Sequence, residues 1–321
     1  MTLPATTRVR YSFIKILVGS DLAGRRLPVM SARSANHGPV VWLTGCCHGD
    51  EVCGAVIIQE IFRRIKKRLL RGELHAFPLM NPVGFETATR EISLSNEDLN
   101  RCFPGDPKGS LGQRIADRIF TTIMATSPHL LIDLHTDWTQ SMPYTILDRK
   151  PDGAGNNAYQ TAKTLATQTG FICIQENDDL TNTLSYNILA RGVPAFTLEL
   201  GEPYVINEEN VRYGVEAVVN ILAAMEMFAP NPKPATFPWP AYDDSRLYQY
   251  SDRPYSSKSG IIRFLAKPGD RIKQGQPFAR IVNTFGKHQE TLKANADAVV
   301  LGHSDNSVVF PGMPVMAFAL G

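Results

Sequence analysis

Between Val40 and Phe228, short apolar runs rich in β-branched residues alternate with longer spans whose apolar residues recur at helical spacing. The runs 40–44, 74–79, 130–134, 171–175 and 195–200 read as strands, and 52–70, 111–124, 158–169, 182–190 and 208–228 read as helices. A helix between consecutive strands has room to carry the chain back across a sheet, so the pattern predicts an α/β fold. Its sheet should be mainly parallel or mixed, with helices on both faces. Ahead of this alternation, 11–18 and 26–32 are β-rich runs separated by turn residues, which suggests a leading antiparallel pair. Ligands of such sheets collect at the carboxyl ends of the strands.

The alternation stops at Pro230-Asn-Pro232-Lys-Pro234-Ala-Thr-Phe-Pro238-Trp-Pro240, a stiff stretch that cannot continue a helix. Beyond it, 260–266, 267–272, 277–282, 298–301 and 315–318 are short β-type runs punctuated by turn residues. The expected organisation is an α/β unit over 1–229, a Pro-rich linker over 230–243 and an all-β unit over 244–321. With 321 residues, the chain is long enough to bury a substantial core in the first unit.

Charge excludes two classes of partner. The 33 basic and 31 acidic residues nearly cancel, so no global field favours nucleic acid or an anionic membrane, and a charged substrate must be recognised locally. Five cysteines, with no pair at Cys-x-x-Cys spacing, cannot all be joined within one chain and point to a reducing cytoplasm. The amino terminus lacks the basic and apolar regions of a signal peptide, and no apolar run approaches bilayer length. A cytoplasmic protein is expected.

Chemistry enters where the first βα turn should lie. His48 and Glu51 stand three apart in His-Gly-Asp-Glu, a separation that puts both on one helical face. The pair alone is weak evidence, because 7 histidines and 31 acidic residues in 321 positions yield roughly 0.7 such pairs by chance. His135 adds what the pair lacks by ending the buried run 130–134. Two imidazoles and one carboxylate form the donor set of a catalytic zinc ion with an open position for water. Glu199, near the end of 195–200, could move that water's proton. In that run Phe196, Leu198 and Leu200 share one strand face, so Glu199 projects from the other with Thr197.

Each residue alone has an ordinary structural explanation: a loop histidine, a carboxylate favoured at a helix start, a buried histidine, a solvated strand-end acid. Their joint placement at strand ends is what points to a hydrolase. Asp133, on the strand face of His135, could orient a ligand or simply bond to backbone.

Taken with Asn81-Pro-Val-Gly, Asp98-Leu-Asn-Arg-Cys-Phe-Pro-Gly105, Asp133-Leu-His-Thr136 and Leu198-Glu-Leu-Gly201, the chain resembles the succinylglutamate desuccinylase and aspartoacylase family, which is akin to zinc carboxypeptidases. The resemblance implies one zinc ion per chain held by His48, Glu51 and His135, with Glu199 as general base and later acid. It further implies that Asn100 and Arg101 bind the substrate carboxylate, a bidentate task suited to guanidinium, and that Arg90 helps stabilise the oxyanion. The expected substrate is a small N-acyl amino acid or related amide. A peptide-cleaving zinc carboxypeptidase and a non-catalytic metal-binding scaffold are the alternatives, and retention of Glu199 argues against the scaffold.

The tail segment Lys267-Pro-Gly-Asp-Arg-Ile-Lys-Gln-Gly-Gln-Pro277 resembles the turn and strand of lipoyl and biotinyl carrier domains, so a small barrel sandwich is expected there. The best candidate attachment residue, Lys287, sits in Thr284-Phe-Gly-Lys-His rather than in the Asp-Lys or Met-Lys-Met setting of modified domains. Covering the active-site mouth or making homo-oligomer contacts fits this tail better. Trp138, Tyr144, Tyr186 and Tyr204 are candidates to shape a pocket, and Cys46, Cys47 and Cys102 read as packing residues.

Overall fold

A computed structural model describes residues 7–18, 24–66, 68–153, 155–176, 179–230, 232–233, 237–238, 246–303 and 306–321. The strands of the first two thirds are β1 Val9–Val18, β2 Gly24–Arg33, β3 Val40–Gly45, β4 Glu73–Phe77, β5 Leu130–His135, β6 Gln140–Ser141, β7 Tyr144–Leu147, β8 Cys173–Gln175 and β9 Ala195–Glu199. Between them lie α1 Cys53–Ile65, α2 Pro82–Thr87, α3 Leu111–Met124, α4 Gly155–Ala166, α5 Leu184–Ala190 and, after β9, α6 Glu208–Ala224. The tail contributes β10 Leu247–Ser251, β11 Gly260–Phe264, β12 Arg271–Ile272, β13 Pro277–Val282, β14 His288–Lys293, β15 Ala298–His303, β16 Val308–Val309 and β17 Met316–Leu320.

One sheet runs β1-β2-β4-β3-β5-β9-β7-β8-β10-β17-β15-β12, with β6 alongside β15. Its centre, β4-β3-β5-β9, is parallel, flanked by the antiparallel leading pair. The next strand, β7, runs antiparallel to β9, and β8 and β10 then run parallel to β7. The sheet is therefore mixed. A second sheet, β14-β13-β11-β16, is antiparallel and packs on β15 and β17 around Phe278, Ile281, Val300 and Phe318.

Strand alternation assigns the two faces. Leu43, Leu134 and Phe196 face α1, which approaches so closely that a Cβ on Gly54 would lie 2.8 Å from the Leu134 carbonyl oxygen. On the opposite face, Trp42 Nε1 donates to Thr126 Oγ1 just beyond α3, and Thr197 Oγ1 donates to Ser185 Oγ of α5. Helices cover both faces, and the core runs continuously between them.

Two helices end earlier than their apolar spacing predicts. Leu69 lies four residues past Ile65 and is buried, but in a turn whose amides still bond to the Ile65 carbonyl. Beyond α6, Glu226 takes a left-handed φ of 58°, and the amides of Met227 and Phe228 fold back on the Leu222 carbonyl. In both cases periodicity continues through a helix cap, because the cap buries its apolar residues too.

Most of 230–243 lies outside the described residues. Beyond it the sheet is continuous, because Leu247, Tyr248 and Gln249 of β10 pair in parallel with Cys173, Ile174 and Gln175 of β8. No helix among the described residues is long and apolar enough to cross a membrane.

The α1–β5 contact yields a test. Gly54→Val should lower unfolding stability by about 1–3 kcal/mol, since the added carbons meet backbone rather than a flexible side chain. A urea midpoint equal to that of the parent would show that α1 can retreat at no cost.

Candidate metal centre and active site

The loop from β3 to α1 is fixed by close backbone packing. A Cβ on Gly49 would lie 1.9 Å from the Gly84 carbonyl carbon, so only glycine fits between His48 and Asp50. Gly84 is itself locked, because Asn81 Oδ1 caps α2 by accepting from its amide at 2.9 Å, and a Cβ there would meet Asn81 Nδ2 at 2.4 Å. The Asn81 amide in turn donates to the Cys46 carbonyl at 2.9 Å. His-Gly-Asp-Glu and Asn-Pro-Val-Gly are thus two halves of one clamp.

That clamp brings His48 and Glu51 against the end of β5. His48 Nδ1 lies 2.6 Å from Glu51 Oε1, and His135 Nδ1 lies 2.9 Å from Glu51 Oε2. The Thr136 amide donates to Glu51 Oε2 at 3.1 Å. The remaining ring nitrogens face other acids: His48 Nε2 is 3.0 Å from Asp98 Oδ1, and His135 Nε2 is 3.0 Å from Asp133 Oδ2. Asp133 is held from its other oxygen by the Thr44 hydroxyl at 2.6 Å, so it orients His135.

Burial alone would keep the imidazoles neutral, but Glu51 beside both, with Asp98 on one and Asp133 on the other, raises both pKa values. Burial would likewise raise Glu51, yet the two imidazoles outweigh it and hold that carboxyl well below its usual range. The acids favour charged imidazoles, and the imidazoles favour a charged Glu51.

The donor set fits a zinc ion. One ligand atom each from His48, Glu51 and His135 lies within 4.8 Å of the others, and all three side chains are buried. With Asp98 and Asp133 accepting from Nε2, each ring would have Nδ1, now against Glu51, left for a metal ion. Cys46 and Cys47 are buried and do not join the set; burial pushes the Cys46 thiol up to about 12 and raises Cys47 well above its usual range.

Glu199 ends β9 directly opposite His135 in register. Its carboxyl is buried, Oε2 has no hydrogen-bond partner, and burial with help from Asp137 raises its pKa well above the usual range against the pull of His135. Asp137 accepts from the Tyr144 hydroxyl and is raised by burial to about 6. Arg90 reaches the cluster through Asp98, with Nη2 at 3.1 Å from Oδ2, and through Glu51, with Nη1 at 3.5 Å from Oε1.

Asp98 opens the 3₁₀ turn Leu99–Arg101, where its Oδ1 also accepts from the Asn100 amide at 2.8 Å. Asn100 Oδ1 accepts from the Leu184 amide at 3.0 Å, and the exposed Arg101 donates to the Asn100 carbonyl at 2.9 Å. His48, Glu51, Arg90, Asn100, Arg101, His135 and Glu199 all line one cavity of about 250 Å³.

The other end of that cavity has no counterpart in the sequence reading. It is lined by Asp148, Glu176, Thr183, Ser185, Tyr250 and Asp252, two of them from the tail. None of Trp138, Tyr144, Tyr186 and Tyr204 lines it: Tyr144 is buried against Asp137, and Tyr204 is exposed. Asp98 stood in a quoted motif, but its contact with His48 depends on a turn fifty residues away. Asp148, Glu176 and Asp252 follow strands by one residue each, a positional signal open to anyone who had identified β7 and β10.

Sheet and helix placement together define a mixed α/β fold of the carboxypeptidase-like kind. A metallo-carboxypeptidase from Burkholderia cenocepacia matches with a TM-score of 0.53 and 16% identity over 67% of this chain and 64% of that one. The model of the succinylglutamate desuccinylase/aspartoacylase catalytic domain matches residues 37–225, and the chain belongs to that family. A succinylglutamate desuccinylase/aspartoacylase from Rhodobacter sphaeroides has the same fold, with a TM-score of 0.81 at 21% identity over 100% of this chain and 98% of the other. N-alpha-acetyl-L-2,4-diaminobutyric acid deacetylase of Halomonas elongata is 31% identical over 130 residues, 40% of this chain. The match spans only 38% of that relative's length.

Two measurements probe this site. Gly49→Ala should abolish metal uptake, because the methyl group must push the His48–Glu51 loop off Gly84; stoichiometric metal in that variant, read by elemental analysis, would show the clamp to be dispensable. Asp148 supplies a pH test. Burial raises its carboxyl to about 6 from 3.8. The folded state therefore binds its proton more tightly than the unfolded one, and the stability this contributes is complete below pH 3.8 and lost as pH rises through 6. Asp148→Asn, which cannot ionise, should gain up to about 3 kcal/mol over the parent at pH 8 relative to pH 3.5. Urea unfolding of both proteins at the two pH values reads the difference, and an equal gap at both would refute it.

Proposed function

We propose that this chain is a zinc-dependent deacylase that hydrolyses the amide bond of a small N-acyl amino acid or related N-acylated amine. The observation that carries the reading is Glu199 Oε2, buried and unpartnered in the cavity that also holds His48, Glu51 and His135. A scaffold would leave this costly group unexplained, whereas hydrolysis needs a carboxyl that takes a proton and returns it.

Zinc held by His48, Glu51 and His135 would supply Lewis acidity, making water a nucleophile near neutral pH. Glu199 would take a proton from the water that attacks the acyl carbonyl and deliver it to the amine as the carbon–nitrogen bond breaks. Its environment suits the second half, since burial favours the protonated form. Asp98 and Asp133 keep both imidazoles in one tautomer and orientation throughout.

Arg90, held by Asp98 at the cavity wall, offers a fixed positive charge to the oxyanion, where charge appears only as the transition state forms. Arg101 and Asn100, on one turn beside it, are the groups for the substrate carboxylate. Asn100 Oδ1 is occupied by the Leu184 amide, so its amide nitrogen is the free donor. The size of the cavity favours a small acylated molecule over a peptide. Membership of a family that includes deacylases, and a relative named as a deacetylase, support the same bond class.

Glu199→Gln should retain one zinc per chain while kcat falls by about 10²–10⁴ on N-acyl amino acids. Near-normal turnover with zinc retained would rule out the proton-transfer role. His135→Ala should lose both zinc and activity, and full zinc occupancy by elemental analysis would sink its assignment as a ligand.

A further inference from the structure

The cavity extends well past the groups needed for hydrolysis. Because β7 is antiparallel to β9, Tyr144 pairs with Glu199 and the chain then runs away from the catalytic end, past Ile146 opposite Thr197, to Asp148. Four residues of strand cover about 13 Å. Here β7, β8 and β10 are parallel neighbours, so their carboxyl ends come together. Pairing of Leu147 with Gln175 and of Gln249 with Gln175 sets Asp148, Glu176 and Tyr250 side by side in the next row, with Asp252 two residues on. All four line the cavity.

Three carboxylates alone would not make a site, but Asp148 is not an ordinary surface acid. It is 6% exposed; Oδ1 accepts from Thr183 Oγ1 at 3.2 Å, the Ser185 hydroxyl lies nearby, and Oδ2 is buried without a hydrogen-bond partner. Its neighbour Arg149 does not compensate it, being bonded to Asp179 at 2.5 Å and set over the Tyr186 ring. The two arginines that line the cavity contact other groups, Arg90 lying against Asp98 and Glu51 and Arg101 against the Asn100 carbonyl. A buried, partly unsatisfied acid of this kind is stabilised by a donor with positive charge.

We propose that Asp148, assisted by Glu176, Asp252 and the Tyr250 ring, is the subsite for an ammonium group on the substrate. The inference rests on the deacylase reading and narrows it: the substrate is an N-acylated diamino compound whose free primary amine stands a short aliphatic chain from the scissile amide. The acids supply charge and acceptors for the three N–H groups, and Tyr250 offers an aromatic face to the same cation. Thr183 and Ser185, at the start of α5, hold Asp148 in place.

The test compares Nα-acetyl diamino acids of increasing side-chain length with alkyl isosteres in which methyl replaces ammonium. On the zinc-loaded protein, at least one ammonium compound should exceed its isostere in kcat/KM by about 30-fold or more, the effect of a desolvated charge pair. In Asp148→Asn that ratio should collapse to within about threefold, mainly through KM. Asp252→Asn, at a less buried position, should lower the ratio in the same direction and serves if Asp148→Asn does not fold. A ratio near one in the parent, or an unchanged ratio in the folded variants, overturns the subsite.

Calorimetric titration of free diamino acids and their isosteres separates the two levels of the argument. If no acyl compound is hydrolysed, the deacylase reading fails. Selective binding of the diamino acid, lost in the variants, then still establishes the subsite, and equal binding of amine and isostere removes it.

Discussion

The carboxylate of Glu51 holds this strand-end cluster together. It comes from the loop after β3, yet its two oxygens reach the imidazoles of His48 and His135 and the amide of Thr136 at the end of the neighbouring strand. A buried carboxylate costs several kcal/mol unless every lone pair is met. Meeting them dictates where β5 ends relative to β3 and how closely α1 approaches the sheet. The bare Cα atoms at Gly49, Gly54 and Gly84 follow from the same demand, since any Cβ at these positions would hold the loop, the helix or the neighbouring turn away.

Outward from Glu51 the charges are layered. Two imidazoles surround it, Asp98 and Asp133 stand behind them, and behind these lie Arg90 and the Thr44 hydroxyl. Each layer offsets the desolvation of the one inside it, and Arg90 also reaches Glu51 Oε1 directly at 3.5 Å, so removing an outer member perturbs the centre. Glu199 stands outside this network. It shares the cavity but not the hydrogen bonds, so in the acid/base role proposed for it a proton could be gained and lost without breaking a bonded chain.

The groups at the centre could be read from sequence because each ends or follows a strand of a parallel array, and strand ends are where α/β sheets gather their chemistry. His48, Glu51, His135 and Glu199 all obey that rule, and the structure brings them into one cavity. The mixed α/β architecture was legible for a similar reason, since helical and strand periodicities differ over spans of five residues or more. Legibility fails where spans are shorter. β7 has four residues between Pro143 and Asp148, too few to show a period, and β10 pairs with β8 across more than seventy residues of chain. Helix ends were overread at Leu69 and Phe228 because apolar residues that cap a helix continue its spacing.

The unread elements have functional weight, because β7 reverses the direction of the sheet beside Glu199. Had β7 been parallel to β9, Asp148 would lie at the catalytic end, among residues that already hold an excess of acids. The reversal carries it to the far end, where β8 and β10 add their own strand-end acids. Through its pairing with β8, the tail then supplies Tyr250 and Asp252 to the cavity wall. On the proposed reading, bond chemistry and substrate choice sit on different strands of one sheet. The far wall can change its charge without disturbing the hydrogen bonds around Glu51, so a fold of this kind can keep one reaction while exchanging the side chain it accepts.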